Sequence, residues 1–166
     1  IIKYNNEGNS ISTISRLVHL SKATIVRKIK QIAARIPKRI ITETRQEYEV
    51  DEMQTFIRKN IPSNYRYVIY ALNRATGRVI DFVVGRRTKE NLQKVIDSLV
   101  KLNALRICTD RLPLYRSLIG TSIHKVKLAG INHIERNHLT VRTHLKRLTR
   151  KTLCFSRSLE MLQSCI

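Results

Sequence analysis

Hydrophobic spacing first changes character near residue 48 of this chain, and that change limits the folds open to it. Before it, apolar side chains recur three and four apart: Ile11, Ile14, Leu17 and Val18, then Ile25, Val26, Ile29, Ile32 and Ala33. This is the spacing of one helix face. From Tyr48 onward the chain is dominated by short apolar or partly alternating runs bounded by turn residues, the mark of strands. A chain ordered this way reads as a small all-α segment followed by a mixed α/β domain.

The front segment has more than periodicity. The break His19-Leu20-Ser21 separates the two apolar stripes, and Ser21 is a good N-cap, because its hydroxyl can accept the free amides of the next turn. The position where a tight turn often takes glycine is His19, a residue type that tolerates positive φ. The second helix carries Lys22, Thr24, Arg27, Lys28 and Gln31 away from its apolar stripe. Two short helices, a tight turn and a basic face describe a DNA-reading helix-turn-helix. Its first residues would meet base edges, while Arg27, Lys28 and Lys30 grip phosphates. An ordinary helical hairpin with solvated lysines has the same pattern. Residues 1–36 form this segment and 37–47 a linker, with Pro37 stopping the helix.

Beyond the linker, strands are expected at Tyr48–Ile57, Tyr65–Asn73 and Val79–Gly85, the last two joined by the Ala75-Thr76-Gly77-Arg78 turn as a hairpin. A helix follows over Lys89–Leu102, with Leu92, Val95, Ile96 and Leu99 on one face. Leu105–Thr109 is a fourth strand, Pro113 starts a short helix, and Ile123–Leu128 is a weak fifth strand. A long basic helix runs from Asn132 to Leu148, with Ile134, Leu139, Val141, Leu145 and Leu148 available for packing.

Charge narrows the partners. The 166 residues hold 32 basic and 12 acidic side chains, a formal net charge of +20. The excess is spread out: ten basic residues against three acidic ones up to 47, fifteen against seven over 48–131, and seven against two over 132–166. Such a chain suits a polyanion, with binding that weakens steeply in salt. A ribosomal-type structural protein would share that composition. No apolar run approaches the ~20 residues of a membrane span, no signal-peptide pattern opens the chain, and no membrane partner is expected. Cys108, Cys154 and Cys165 lack CxxC spacing and read as reduced thiols of a cytosolic protein. A first residue of Ile1 fits a fragment of a longer reading frame.

In so basic a chain the few carboxylates are informative. Asp51 lies inside the first strand, Asp110 directly after the fourth, and Glu135 near the start of the last helix. The order βββαβ(α)βα with acids at those places matches the ribonuclease-H-like architecture, in which the first and fourth strands are central neighbours. Asp51 and Asp110 would then lie side by side and the last helix would bring Glu135 across to them. Carboxylates crowded in this way call for cations, and hard oxygen ligands suit Mg²⁺ or Mn²⁺. Glu52, by strand alternation, is expected on the opposite face from Asp51.

Three segments resemble the insertion-sequence-one family of bacterial DDE transposases: Val50-Asp51-Glu52-Met53, Cys108-Thr109-Asp110 through Pro113-Leu114-Tyr115, and His133-Ile134-Glu135-Arg136. The last continues through Leu139, Arg142, Leu145, Arg147-Leu148 and Arg150-Lys151-Thr152 to Phe155-Ser156-Arg157-Ser158. The Val84-Gly85-Arg86-Arg87-Thr88 turn fits as well, and with the helix-turn-helix the likeness covers nearly the whole chain. It implies a catalytic domain over 48–166. Its triad would be Asp51, Asp110 and Glu135, holding two Mg²⁺ (or Mn²⁺) ions for strand cleavage and strand transfer. It further implies duplex DNA as partner (transposon ends and target), a homo-oligomer on that DNA, and a bacterial cytoplasmic, nucleoid-associated setting. Arg136 and Arg142 are candidates for steering phosphates beside the triad, against a solvated basic face as the plain alternative. Gln54, Arg111-Leu112, Ile131 and His138 depart from the family's usual residues, as a degraded copy of an element would. His138, three residues after Glu135 on the same helix, could touch the metal region, although a substituted structural position is the plainer reading. The zinc ribbon that family members usually carry ahead of the helix-turn-helix has no counterpart here.

Two rival functions share parts of this pattern. A ribonuclease-H-like nuclease would use the same acids, but does not account for an upstream duplex-reading motif. A non-catalytic helix-turn-helix regulator would need a ligand pocket, for which no Gly-rich cradle is visible, and leaves the three acids unexplained.

Overall fold

A computed structural model of the chain describes residues 1–37, 41, 43–126, 132–149, 152 and 154–166. The helices are α1 (Ile2–Asn6), α2 (Ile11–Leu17), α3 (Lys22–Arg35), α4 (Lys89–Lys101), α5 (Pro113–Arg116), α6 (Asn132–His144) and α7 (Leu159–Gln163). The strands are β1 (Glu47–Phe56), β2 (Tyr65–Asn73), β3 (Val79–Gly85), β4 (Arg106–Thr109) and β5 (His124–Val126). The chain divides into two compact units. One comprises Ile1–Arg39, Thr55–Tyr65 and Thr140–Ile166, the other Ile40–Gln54 and Arg66–Leu139.

In the first unit, α2 and α3 take the two predicted apolar stripes and bury Ile14, Ile25 and Ile29 together with Met161 of α7. Both helices are capped by serine, Ser10 Oγ accepting the Thr13 amide and Ser21 Oγ the Thr24 amide, each at 3.1 Å. His19, in the intervening turn, has φ 51°. Helix α3 ends at Arg35, two residues short of Pro37. The C-terminal segment packs here too. Arg147 is buried and donates to Asn5 Oδ1 and to the Cys154 carbonyl. Ser156 forms a parallel bridge with Ile57. Neither α1 nor α7 was expected from periodicity; both are only five residues long.

The second unit is built on a five-stranded mixed sheet in the order β3-β2-β1-β4-β5. Strands β2 and β3 pair antiparallel, as their hairpin pattern predicts, while β4 runs parallel to both β1 and β5. Asn73 Oδ1 accepts the amides of Ala75 and Thr76 to close the hairpin turn, and Gly77 supplies φ 67° within it. The core joins Tyr48 and Val50 of β1, Ile69 and Ala71 of β2, and Leu92, Val95, Ile96 and Leu99 of α4 to Ile107 and Tyr115. The fifth strand is visible as His124–Val126; the rest of its expected span, and Ile131, lie outside the described residues.

Helix α6 corrects the sequence expectation in two ways. It ends at His144, followed by a 3₁₀ turn over Lys146–Leu148, where a single helix to Leu148 was expected. Leu139 is 69% exposed, whereas Ile134 and Leu148 are buried. Ile134 and Leu139 are five residues apart, about 140° around a helix, so one face cannot bury both.

Candidate functional site

Parallel pairing of the two central strands brings the first two acids to one end of the sheet. The register pairs Glu47 with Arg106, Tyr48 with Ile107 and Glu49 with Cys108. Carried two residues further on each strand, it sets Asp51 level with Asp110. Ligand oxygens of Asp51, Asp110 and Glu52 all lie within 4.8 Å of one another. All three side chains are half-buried.

Local hydrogen bonds aim these carboxylates. Asp51 Oδ1 accepts the Glu52 amide at 2.8 Å, and Asp110 Oδ1 accepts the Leu112 amide at 2.9 Å. Tyr115, delivered to the core by the short helix that Pro113 opens, donates its hydroxyl to Glu52 Oε1 at 2.5 Å. Glu52 was expected on the opposite strand face, and its carboxylate instead joins the acid group. Alternation fixes where Cβ points, but a two-methylene side chain reaches round the end of the paired region, and the Tyr115 hydroxyl draws it in.

The electrostatics follow from crowding. Burial pushes Asp51 up to about 7, aided by the negative charges of Glu52, Asp110 and Glu135 and opposed by its bond to the Glu52 amide. Burial also raises Glu52, with repulsion from Asp110 adding to the rise, while the Tyr115 hydrogen bond and Arg87 pull it down. Two raised carboxylates side by side are unfavourable as anions, and a bound cation relieves exactly that cost. The donor set is all carboxylate oxygen, which fits Mg²⁺ or Mn²⁺.

Glu135 occupies the first turn of α6 and is exposed. It lies outside the group whose ligand atoms fall within 4.8 Å, although its charge is felt at Asp51. Its helix is held to the sheet by a residue that sequence reasoning missed. Glu49, completely buried two positions before Asp51 on the same strand, accepts the Ile134 amide at 2.9 Å, and its other oxygen lies 2.9 Å from His133 Nδ1. Arg74 Nε approaches the same carboxylate at 3.5 Å. Tyr70 adds hydrogen bonds to the Ile134 carbonyl and to Asn137 Oδ1. The signal for Glu49 was its period-two relation to Asp51, but its use appears only once α6 is docked. His138 Nδ1 lies 3.9 Å from Asp51 Oδ2, with its ring against Tyr70.

The residues expected to meet DNA are dispersed. Lys22 and Arg27 of α3 both line a cavity in the first unit. Thr24 is engaged with the capping Ser21 hydroxyl, and Lys28 is exposed but does not line that cavity. Arg136 is exposed, and Arg142 is half-buried with its carbonyl accepting the Thr149 hydroxyl.

Residues 47–166 match the family model described as IS1 transposase. Among curated relatives, the insertion element iso-IS1n protein InsB of Shigella dysenteriae is 34% identical over 118 residues, covering 71% of this chain and 88% of that protein. The insertion element IS1 protein InsB of Shigella flexneri is 34% identical over 113 residues, 68% of this chain and 85% of that one. For the IS1 2 protein InsB of Escherichia coli K12 the match is 34% over 112 residues, 68% of this chain and 66% of the relative. A cryo-EM structure of the simian T-cell lymphotropic virus intasome with PP2A regulatory subunit B56 gamma aligns with 94% of this chain and 60% of that one. The TM-score is 0.44 and the identity 13%. On the match to residues 47–166 and the identities over more than two thirds of its length, this chain belongs to the IS1 transposase family.

Proposed function

We propose that the protein is a DDE-type DNA transposase, with a ribonuclease-H-like catalytic domain over 48–166 behind a helix-turn-helix at 1–36 and a linker at 37–47. The observation that carries this reading is the convergence of Asp51, Asp110 and Glu52 at one end of two adjacent parallel strands. Asp51 and Asp110 would be the fixed metal ligands, Glu135 would complete the triad from α6, and Glu52 is near enough to share the load. A pair of bound Mg²⁺ or Mn²⁺ ions supplies Lewis-acid activation of water or of a 3′-hydroxyl and neutralises charge on the phosphodiester. The chain's own groups prepare that centre. Amides of Glu52 and Leu112 orient the two aspartates, Tyr115 orients Glu52, and Glu49 anchors the helix that carries Glu135.

Duplex DNA, as element end and as target, is the proposed substrate. Lys22, Thr24, Arg27, Lys28, Arg136 and Arg142 are its proposed contacts, and a homo-oligomer on DNA is the proposed assembly. The net charge of +20 supports a polyanionic partner. Among the described residues no helix is long and apolar enough to cross a membrane.

The test is strand cleavage and joining on a plasmid carrying the DNA that flanks the gene, which should contain terminal inverted repeats, with Mg²⁺ or Mn²⁺ present. Nicks at the repeat ends and joined products are expected. Asp51→Asn, Asp110→Asn and Glu135→Gln should each lower both by about 100-fold or more, since such ligands act as a unit. Cleavage indifferent to Asp110→Asn would refute the proposal, and cutting confined to the RNA of hybrids would point to a nuclease.

A further inference from the structure

The unit formed by Ile1–Arg39, Thr55–Tyr65 and Thr140–Ile166 carries a half-open cavity of about 720 Å³. That is within the ~300–1,000 Å³ of small-molecule sites. Lys22, Val26, Arg27 and Lys30 of α3 line it together with Cys154 to Ser158 and Met161 of the C-terminal segment. Its lining includes four exposed or half-buried cations, Lys22, Arg27, Lys30 and Arg157, and no carboxylate. Lys30 is partly neutralised by Glu160, which lies 2.5 Å away outside the lining. The apolar part holds an aromatic ring, Phe155, whose centroid lies 6.1 Å from that of Phe56.

Among the described residues, one buried polar side-chain atom of the lining has no hydrogen-bond partner. Ser156 is 2% exposed and its Oγ makes no hydrogen bond. Its backbone is held in place, the carbonyl accepting the Arg58 amide at 2.9 Å and the main chain bridging Ile57. Buried hydroxyls are rarely left unsatisfied, and one that is asks what outside the chain meets it.

A ring to stack on and a cationic rim are the parts with which proteins hold unpaired nucleotides: bases on aromatic faces, phosphates on basic side chains. We propose that this cavity takes one unpaired nucleotide of a DNA strand, its base against Phe155 and Val26 and in hydrogen-bond reach of Ser156 Oγ, its flanking phosphates on Lys22, Arg27 and Arg157. The inference rests on the DNA-binding reading above and redirects part of it. Lys22 and Arg27 then serve a strand extruded from the duplex, while Lys28, on another face of α3, remains available to paired DNA. An extruded nucleotide costs least where pairing is already disturbed, so the site favours DNA that is distorted or open.

The test uses the full chain in EDTA, so that no cleavage intervenes. Two duplexes of the same sequence are compared, one fully paired and one carrying a single unpaired 2-aminopurine. Tighter binding of the bulged duplex by about tenfold is expected, from the worth of one stacked base, with quenching of the 2-aminopurine fluorescence. In Phe155→Leu and Ser156→Ala the ratio of the two affinities should fall towards one, and Ser156→Ala keeps the test open if the first variant does not fold. Equal affinities in the parent chain, or a ratio that survives in Ser156→Ala and in folded Phe155→Leu, would overturn the cavity assignment while leaving the transposase reading intact. Absence of all DNA binding would overturn both.

Discussion

At the scale of single residues, Asp51 is the group whose chemistry departs most from its free state. Unfolded, it titrates near 3.8; folded, at about 7. Between those values the folded protein holds a proton that the unfolded chain has lost. The stability this group contributes is therefore complete below pH 4 and disappears as pH rises through about 7. Asp51→Asn should consequently stabilise the metal-free protein above pH 7, on the order of 3 kcal/mol, and have little effect near pH 4. Urea melts across that range would check the sign. Glu52→Gln is also informative, because strand alternation would make it a bystander and the structure makes it a member of the acid group. Metal-induced stabilisation measured by thermal shift should drop in this variant. Glu49→Ala would leave the Ile134 amide and His133 without their shared acceptor and strip Arg74 of a partner, costing about 3 kcal/mol. Because Glu49 acts through α6, its variant should also blunt metal binding while Glu49→Gln, which keeps an acceptor, restores part of it.

At the scale of elements, most of what was legible came from periodicity reinforced by turn chemistry. The hairpin of β2 and β3 begins and ends where its apolar runs and the Gly77 turn place it, and the Ser21 cap starts α3 as expected. Ser21→Ala should therefore cost about 1 kcal/mol in a thermal or urea melt. What was not legible depends on contacts between distant segments. The side of α6 that packs is set by Glu49 and Tyr70, neither of them in the helix, so Leu139 could not be sorted from Ile134 by hydropathy alone. With its side chain 69% exposed, Leu139→Lys should shift the melt by no more than about 0.5 kcal/mol. Glu52 escaped for a related reason, since its direction is decided by a tyrosine 63 positions away. The short helices α1 and α7 have too few turns to show a period.

At the scale of the whole molecule, a basic chain carries an acidic centre, and the two features call for different tests. The charge of +20 predicts DNA affinity that falls steeply with salt; replacing Lys22 or Arg27 by alanine should lower the logarithmic salt slope by about one each. The centre itself carries the central claim: Asp51, Glu52 and Asp110 are crowded and partly buried, and they are the proposed ligands of divalent cations. The most direct measurement is thermal unfolding during a Mn²⁺ titration at pH 8, run in parallel on the parent and on Asp110→Asn. Binding restricted to the folded form should raise the parent's stability by about 2.7 kcal/mol at a hundredfold excess over Kd, and Asp110→Asn should show little of that rise. No stabilisation of the parent, or an equal rise in both proteins, would contradict the metal centre.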